Sequence, residues 1–298
     1  MSKTAFIFPG QGGQFVGQGQ SWAQSDPATD GIFRAVDRIS GKPISKLCWE
    51  GPLEELSKTE NLQLACLAVG LSAARQFKLK GEEPAFAAGH SLGEYGALVL
   101  AEVISEETAI DLVARRSELM ARISGDGGSM SAILGLDAET VEAVCELARS
   151  EGLVVAANYN APTQTVISGE ARAVAAAVRF AGMKGGKAVP LPVTGAFHSP
   201  LMAKPAEIFA KIIDDVEFKK PLFPVVPNVS GELTDDPADI KDLLKKQMTG
   251  QVHWTKTVQS LNVAGAEAFL ECWPKPYLGP MIRKTLGPQN KAKISAAQ

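Results

Sequence analysis

The sequence predicts an α/β protein, with helices layered on a mostly parallel sheet and a smaller α+β unit inserted. Three observations carry this. Over residues 1–123, short apolar runs bounded by Gly and Pro alternate with longer stretches of helical periodicity. The run Ser124-Gly125-Asp126-Gly127-Gly128 then breaks the texture, as a linker would. After it, strand-like and helix-like segments follow in the order βαββαβ. The chain has 298 residues, so at a rough ~150 residues per domain it forms one large domain or two small ones. With 45% hydrophobic and 21% charged residues, it has material for a sizeable core under a charged surface.

The first element is an apolar strand over 4–8, followed by the loop Pro9-Gly10-Gln11-Gly12-Gly13-Gln14. Helices come next, broken at Pro27, Pro43 and Pro52. Residues 61–78 carry apolar side chains at helical spacing and read as a buried helix. A short small-residue strand over 84–88 ends at Gly89-His90-Ser91-Leu92-Gly93, and helices over 92–101 and 106–123 follow. Beyond the linker the spacing predicts a strand at 129–136, a helix at 138–149 and a strand at 153–158. A turn at 160–162, a strand at 165–168, a helix at 171–183 and a strand at 187–191 complete the series. That βαββαβ order is the ferredoxin-like unit. It makes 127–195 a small subdomain inserted between 1–126 and 196–298. Residues 199–216 read as helix, strands near 223–226 and 267–272 rejoin the large sheet, and 287–298 read as a frayed end.

Composition excludes several classes. Thirty basic against 33 acidic residues give a net charge of −3, mixed along the chain, which argues against nucleic acid. No apolar run approaches the ~18 residues of a membrane span, and the run at 5–8 is too short for a signal peptide. Cys48, Cys66, Cys145 and Cys272 fit no zinc spacing and read as reduced core residues, as in a cytoplasmic protein. The Gly/Gln loop is no dinucleotide fingerprint, since Phe15 stands where Gly10-x-Gly12 would need its third glycine.

Gly89-His90-Ser91-Leu92-Gly93 is a Gly-x-Ser-x-Gly pattern between a strand and a helix. A serine at so sharp a turn stands clear of the core, and the Leu92 amide points with the helix N-terminus to where an oxyanion would form. The alternative is an ordinary capping serine. A nucleophile needs a base, and the chain has only His90, His198 and His253. His90 leaves the turn in another direction, and His253 suits packing beside a helix start. His198 lies in Gly195-Ala196-Phe197-His198-Ser199-Pro200, a loop between the two units, where active-site groups tend to gather. A turn histidine is the alternative there. Asp111, Asp126 and Asp137 lie between Ser91 and His198, but none ends a predicted strand, which favours a Ser–His dyad whose second N–H needs another acceptor. The helix from Leu92 descends about 15 Å at 1.5 Å per residue. The next climbs back by Arg115 and Arg116, so one of these returns to the level of the serine. A buried guanidinium would hold a carboxylate or phosphate with its fork. The alternative is a surface arginine paired with Asp111 or Glu118.

Seven blocks, in order, carry a resemblance over residues 4–286. They are Phe8-Pro9-Gly10-Gln11-Gly12, Gly89-His90-Ser91-Leu92-Gly93-Glu94-Tyr95, Val113-Ala114-Arg115-Arg116-Ser117-Glu118-Leu119-Met120, Asn158-Tyr159-Asn160-Ala161-Pro162, Val166-Ile167-Ser168-Gly169, Phe197-His198-Ser199-Pro200-Leu201-Met202 and Gln247-Met248-Thr249-Gly250-Gln251-Val252-His253-Trp254. The chain thereby resembles the bacterial malonyl-CoA:acyl-carrier-protein transacylases and the acyltransferase domains of polyketide synthases. The resemblance implies an α/β-hydrolase-like large subdomain with the ferredoxin-like insert. It implies ping-pong transfer of malonyl from malonyl-CoA to acyl carrier protein for fatty-acid biosynthesis, with no metal or redox cofactor, by a cytoplasmic protein expected to be a monomer. Residue by residue, Ser91 is implied as nucleophile and His198 as base, with the Gln247 carbonyl orienting the histidine. Gln11 and Leu92 are implied as oxyanion donors and Arg116, not Arg115, as the malonyl clamp. Phe197 is implied as the residue that leaves little room for a methyl at the acyl α-carbon.

The sequence departs from the family pattern at Gln63-Leu64-Ala65, where Gln-Pro-Ala is usual, and at Glu271-Cys272-Trp273-Pro274-Lys275, where Glu-x-Gly-Pro-Gly is usual. Gly250-Gln251 also replaces a common Pro. Basic residues of the small unit (Arg172, Arg179, Lys184, Lys187) and of the C-terminal region (Lys275, Arg283, Lys284) offer a docking surface for an acidic carrier, or ordinary solvated charge. Two rival functions share these residues: a hydrolase clearing misloaded carriers, and a non-catalytic carrier-binding scaffold. A carboxylate clamp argues against the first and an intact dyad against the second.

Overall fold

The computed structural model describes residues 3–123, 127–193 and 195–297. Of the expected linker at 124–128, residues 124–126 lie outside the described residues. The chain begins with β1 (Thr4–Phe8), then α1 (Gln20–Ser25), α2 (Pro27–Ser40), α3 (Ile44–Glu50), α4 (Leu53–Leu56) and α5 (Thr59–Leu79). Pro27 opens α2, while Pro43 and Pro52 immediately precede α3 and α4, so each proline starts a helix where its missing N–H costs nothing. β2 (Phe86–Gly89), α6 (Gly93–Leu100) and α7 (Glu106–Ile123) follow.

The smaller unit comprises β3 (Gly128–Leu134), α8 (Ala138–Ala148), β4 (Val154–Ala161), β5 (Gln164–Glu170), α9 (Ala171–Met183) and β6 (Lys187–Pro190). Its strands form an antiparallel sheet in the order β4-β5-β3-β6, the ferredoxin-like arrangement expected from the βαββαβ sequence. The expected turn at 160–162 is corrected: β4 continues to Ala161, which keeps Asn160 on a strand. Strand alternation divides the sheet's contacts. Ile133, Val154 and Ile167 pack with α8 and α9, while Met130, Ala132 and Val166 join the main core.

The chain returns through a short 3₁₀ turn, Pro200–Met202, to α10 (Ala203–Asp214), so the helix expected over 199–216 is shorter and begins differently. β7 (Val225–Val226), α11 (Pro237–Lys246), α12 (Trp254–Val263), β8 (Ala268–Glu271), α13 (Gly279–Leu286) and β9 (Lys293–Ala296) complete it. The large sheet is parallel throughout, in the order β7-β2-β1-β8-β9. The frayed end expected at 287–298 is corrected by β9. Its residues pair with β8 from Ala268↔Lys293 to Glu271↔Ala296, and Ala297 is buried. Central β1 is buried on both faces: Phe6 and Phe8 face the cluster of α2, α5 and α7, and Ala5 and Ile7 that of α12 and α13. The loops after β1, β2, β7 and β8 therefore all open at the carboxyl edge of one parallel sheet, the edge where open α/β folds bind ligands.

Candidate active site

Ser91 lies at the carboxyl end of β2, at the bend into α6. Its φ is +51°, a left-handed conformation that a non-glycine residue adopts only where its surroundings enforce it. The glycines on either side permit the bend. A Cβ on Gly89 would overlap the Gly93 backbone, and one on Gly93 would overlap the Phe8 carbonyl. Asn228, in the loop after β7, braces the turn. Its side-chain oxygen accepts from the Ser91 amide at 2.6 Å, and its amide nitrogen donates to the Gly89 carbonyl at 2.7 Å.

Ser91 Oγ is 2.7 Å from His198 Nε2. The Nδ1 of the same ring is 3.0 Å from the carbonyls of both Gln247 and Gly250. Carbonyls only accept, so Nδ1 carries the proton and Nε2 is left to accept from the serine hydroxyl. His198 also has positive φ, +56°, and is 3% exposed. Burial first, then the charge of Arg116, push it down to about 3, so the resting imidazole is neutral.

Arg116 comes from α7 and is 1% exposed, a fully buried guanidinium. Nη2 donates to Ser91 Oγ at 3.3 Å and to the Gln247 side-chain oxygen at 3.0 Å, while Nη1 donates to Gln63 Oε1 at 2.5 Å. Its Nε has no partner among the described residues. Arg115 points elsewhere, into an exposed pair with Asp111 at 2.8 Å. Burial lowers the affinity of Arg116 for its proton, and the neighbouring Glu94 opposes that effect. Glu94 Oε2 accepts from Asn228 Nδ2 (2.5 Å), Gln247 Nε2 (2.8 Å) and the Asn228 amide (3.1 Å). Burial raises the Glu94 carboxyl to about 7, against those hydrogen bonds and the charge of Arg116. The Gln247 side chain thus bridges cation and acid, while its backbone orients the histidine.

The other sequence candidates fall into place around this centre. Gln11 follows β1 and lines a cleft of about 150 Å³ together with Ser91, Phe197, His198, Met130 and Val166. The backbone amides of Gln11 and Leu92 donate to no protein acceptor among the described residues. His90 pairs with Asn160 Oδ1 at 2.7 Å and packs edge-on against Trp254, while His253 precedes α12 and stacks on Tyr159. Sequence reasoning missed Asn228, Glu94 and the pairing of Gln63 with Arg116. For Asn228 the available signal was its position just beyond a short apolar strand, at the ligand-binding edge of a parallel sheet. Glu94 reads locally as an ordinary acidic residue in a first helical turn.

Among the described residues no group of three or more His, Cys, Asp or Glu side chains is placed to hold a metal ion, and no helix is long and apolar enough to cross a membrane.

A strand–serine–helix turn with a histidine in hydrogen-bond contact, on this pair of sheets, defines the class of α/β acyl-transfer enzymes. Residues 5–297 match the family described as the acyl transferase domain. The malonyl CoA-acyl carrier protein transacylase of Bacillus subtilis is 40% identical over 287 residues, covering 95% of this chain and 90% of the relative. Among solved structures, an acyl carrier protein S-malonyltransferase from Vibrio cholerae is 36% identical with a TM-score of 0.93, covering 99% of this chain and 96% of that one. A malonyl-transacylase in complex with its type II PKS acyl-carrier protein is also 36% identical, with a TM-score of 0.92 and coverage of 99% and 95%. The chain belongs to the acyl transferase domain family.

Proposed function

We propose that this chain is an [acyl-carrier-protein] S-malonyltransferase. It moves malonyl from malonyl-CoA to the phosphopantetheine thiol of acyl carrier protein through a malonyl-Ser91 ester. The observation that carries the reading is the Arg116 guanidinium, fully buried and 3.3 Å from the Ser91 oxygen. A buried cation beside a nucleophile is costly unless the substrate brings an anion to meet it. Malonyl has a free carboxylate and acetyl has none. The names of the relatives, and the one solved with its acyl-carrier protein, support the same donor and acceptor here.

In this reading His198 Nε2 takes the Ser91 proton as the oxygen attacks the thioester carbonyl, and the Gln11 and Leu92 amides hold the resulting oxyanion. The carbon–sulfur bond breaks, and His198 returns its proton to the departing CoA sulfur. Malonyl stays on Ser91 with its carboxylate on Arg116. The carrier thiol then gives its proton to His198 and attacks the ester carbonyl. The Ser91 oxygen leaves and recovers the proton, so the cycle closes without redox change. The imidazolium formed midway lies near Arg116, and a bound carboxylate offsets that repulsion. Malonyl therefore favours the protonated intermediate as well as the bound state. Phe197, 4% exposed at the cleft wall, limits room beside the acyl α-carbon. The residue ranges 1–126 with 196–298, and 127–195, serve as the two lobes of the cleft, and Lys275, in the turn after β8 against Phe15, as part of the carrier-docking surface, whereas Arg283 and Lys284 lie in the last turn of α13, toward the segment that leads into β9. The protein works as a cytoplasmic monomer, a location that its four free, buried cysteines fit.

The test is intact mass spectrometry after mixing with malonyl-CoA, then with holo acyl carrier protein. One malonyl should appear on the protein, be absent in Ser91→Ala, and move to the carrier. Free malonate as the main product would instead indicate the hydrolase, and no acylation at all the scaffold.

A further inference from the structure

The loop that carries Gln11 is held by side chains from outside it. After β8 the chain turns sharply around Glu271, whose buried carboxylate accepts from the amides of Tyr277 (2.7 Å), Leu278 (2.7 Å) and Gly279 (3.0 Å). That turn presents three residues to the segment after β1. The Trp273 indole N–H donates to the Gly13 carbonyl at 3.2 Å, and the Tyr277 hydroxyl donates to the Gln11 carbonyl at 3.2 Å. Lys275 Nζ lies 3.9 Å from the centre of the Phe15 ring. The approach is close enough that a Cβ on Gly12, where φ is +122°, would overlap the Tyr277 hydroxyl. From the other side, the Cys66 thiol of α5 lies 3.6 Å from the Gly10 carbonyl.

These contacts bear on one N–H. The Gly10 carbonyl and the Gln11 amide belong to a single planar peptide and point in opposite directions, and the Gln11 carbonyl belongs to the next plane. Holding both carbonyls fixes the two planes that flank the Gln11 Cα, and with them the direction of the Gln11 N–H. An oxyanion donor stabilises a transition state in proportion to how little it must reorganise when charge develops.

We propose that Tyr277 is a positioning residue for acylation: its hydroxyl holds the Gln11 carbonyl so that the Gln11 amide stays aimed at the thioester oxygen. Trp273 secures the far end of the same loop. The proposal rests on the reading of the Gln11 amide as an oxyanion donor, and its test separates the two.

The test is a double cycle on the full chain. One change is Tyr277→Phe, which keeps the ring against Gly12 and removes the hydroxyl. The other replaces Gln11 by its α-hydroxy analogue, which turns the Gly10–Gln11 amide into an ester and deletes the N–H. Single-turnover acylation by malonyl-CoA is measured for all four proteins. The ester should slow acylation by about 10²-fold or more. Tyr277→Phe should slow it roughly fivefold, the scale of one neutral hydrogen bond, with KM for malonyl-CoA unchanged. In the ester background Tyr277→Phe should change nothing further. An equal slowing in both backgrounds, no slowing in either, or an effect confined to KM overturns the positioning role while the Gln11 reading stands. A rate unaffected by the ester removes the Gln11 reading and this proposal with it. If Tyr277→Phe does not fold, 4-fluorophenylalanine at position 277, which fills the place of the hydroxyl but cannot donate, enters the same cycle with the same pattern expected.

Discussion

Replacing Arg116 by alanine removes the guanidinium that links Gln63, Gln247 and the Ser91 oxygen. For a malonyl thioester, the consequence is a carboxylate that must enter a buried site without its counter-ion. Breaking such a pair costs about 3–5 kcal/mol. At about 1.4 kcal/mol per factor of ten, kcat/KM for malonyl-CoA should fall roughly 10²- to 10⁴-fold. An acetyl thioester has no carboxylate to strand. It loses only the weak polar contact at the serine, so its rate should change by no more than about tenfold. The malonyl-to-acetyl ratio should therefore drop by at least about tenfold. The assay is CoA release from both thioesters by wild type, Arg116→Ala and Arg116→Lys, with circular dichroism as the folding control. Lysine keeps the charge but not the fork that can hold two carboxylate oxygens, so its ratio should lie between the other two. If malonyl and acetyl rates fall by the same factor in a folded Arg116→Ala protein, the arginine supports the structure without selecting the substrate.

Three further outcomes follow from the same geometry. Phe197→Ser should raise the ratio of methylmalonyl to malonyl transfer by ~1–3 kcal/mol, the worth of one methyl in an apolar pocket. A ratio that does not move in a thioester competition assay would remove Phe197 from the specificity wall. Asn228→Ala leaves the Ser91 amide and the Gly89 carbonyl without their partner. Urea unfolding should show a loss of about 2–4 kcal/mol, and acylation should slow with it. A loss below about 0.5 kcal/mol would mean the turn does not depend on Asn228. The third concerns pH. Because His198 is held far below its ordinary 6.5 by burial and by Arg116, the neutral base persists as pH falls, and the acid limb of kcat/KM should lie well below pH 6.5. In Arg116→Ala, assayed with acetyl-CoA, the limb should move upward as the repelling charge is lost. A wild-type limb at or above 6.5 would contradict the buried, neutral imidazole. The same displacement makes the folded protein lose stability on acidification from about pH 6.5. The unfolded chain takes up a proton there that folded His198 refuses, at about 1.4 kcal/mol per pH unit.

Local features were legible in the chain. The Ser91 turn could be read because a short strand, two glycines and a helix start are contiguous, and each is needed for the bend. The ferredoxin-like order could be read because its strands and helices follow one another along the sequence. Arg115 and Arg116 could not be told apart by periodicity. They are neighbours on one helix, and both lie near the level of the serine. Only the packing of Gln63 and Gln247 against one side of α7 separates the buried guanidinium from the solvated one. The segment 287–298 was misread because it lies at the end of the chain, and chain ends fray unless something ties them down. As an edge strand it needs only one neighbour, and that neighbour, β8, is supplied by the sheet.

The sequence by itself determined the strand–serine–helix turn at Ser91, the βαββαβ order of the smaller unit and the absence of a zinc-ligand spacing, because each depends on residues adjacent in the chain or on composition. The tertiary structure decided which side chains hold the Ser91 turn and the Gln11 loop by hydrogen bonds. Asn228 reaches Ser91 across 137 positions, Gln247 reaches Glu94 across 153, and Tyr277 reaches Gln11 across 266. Hydrogen bonds are short-ranged and directional, so partnerships of this kind exist only once the parallel sheet has brought the ends of its strands to one edge.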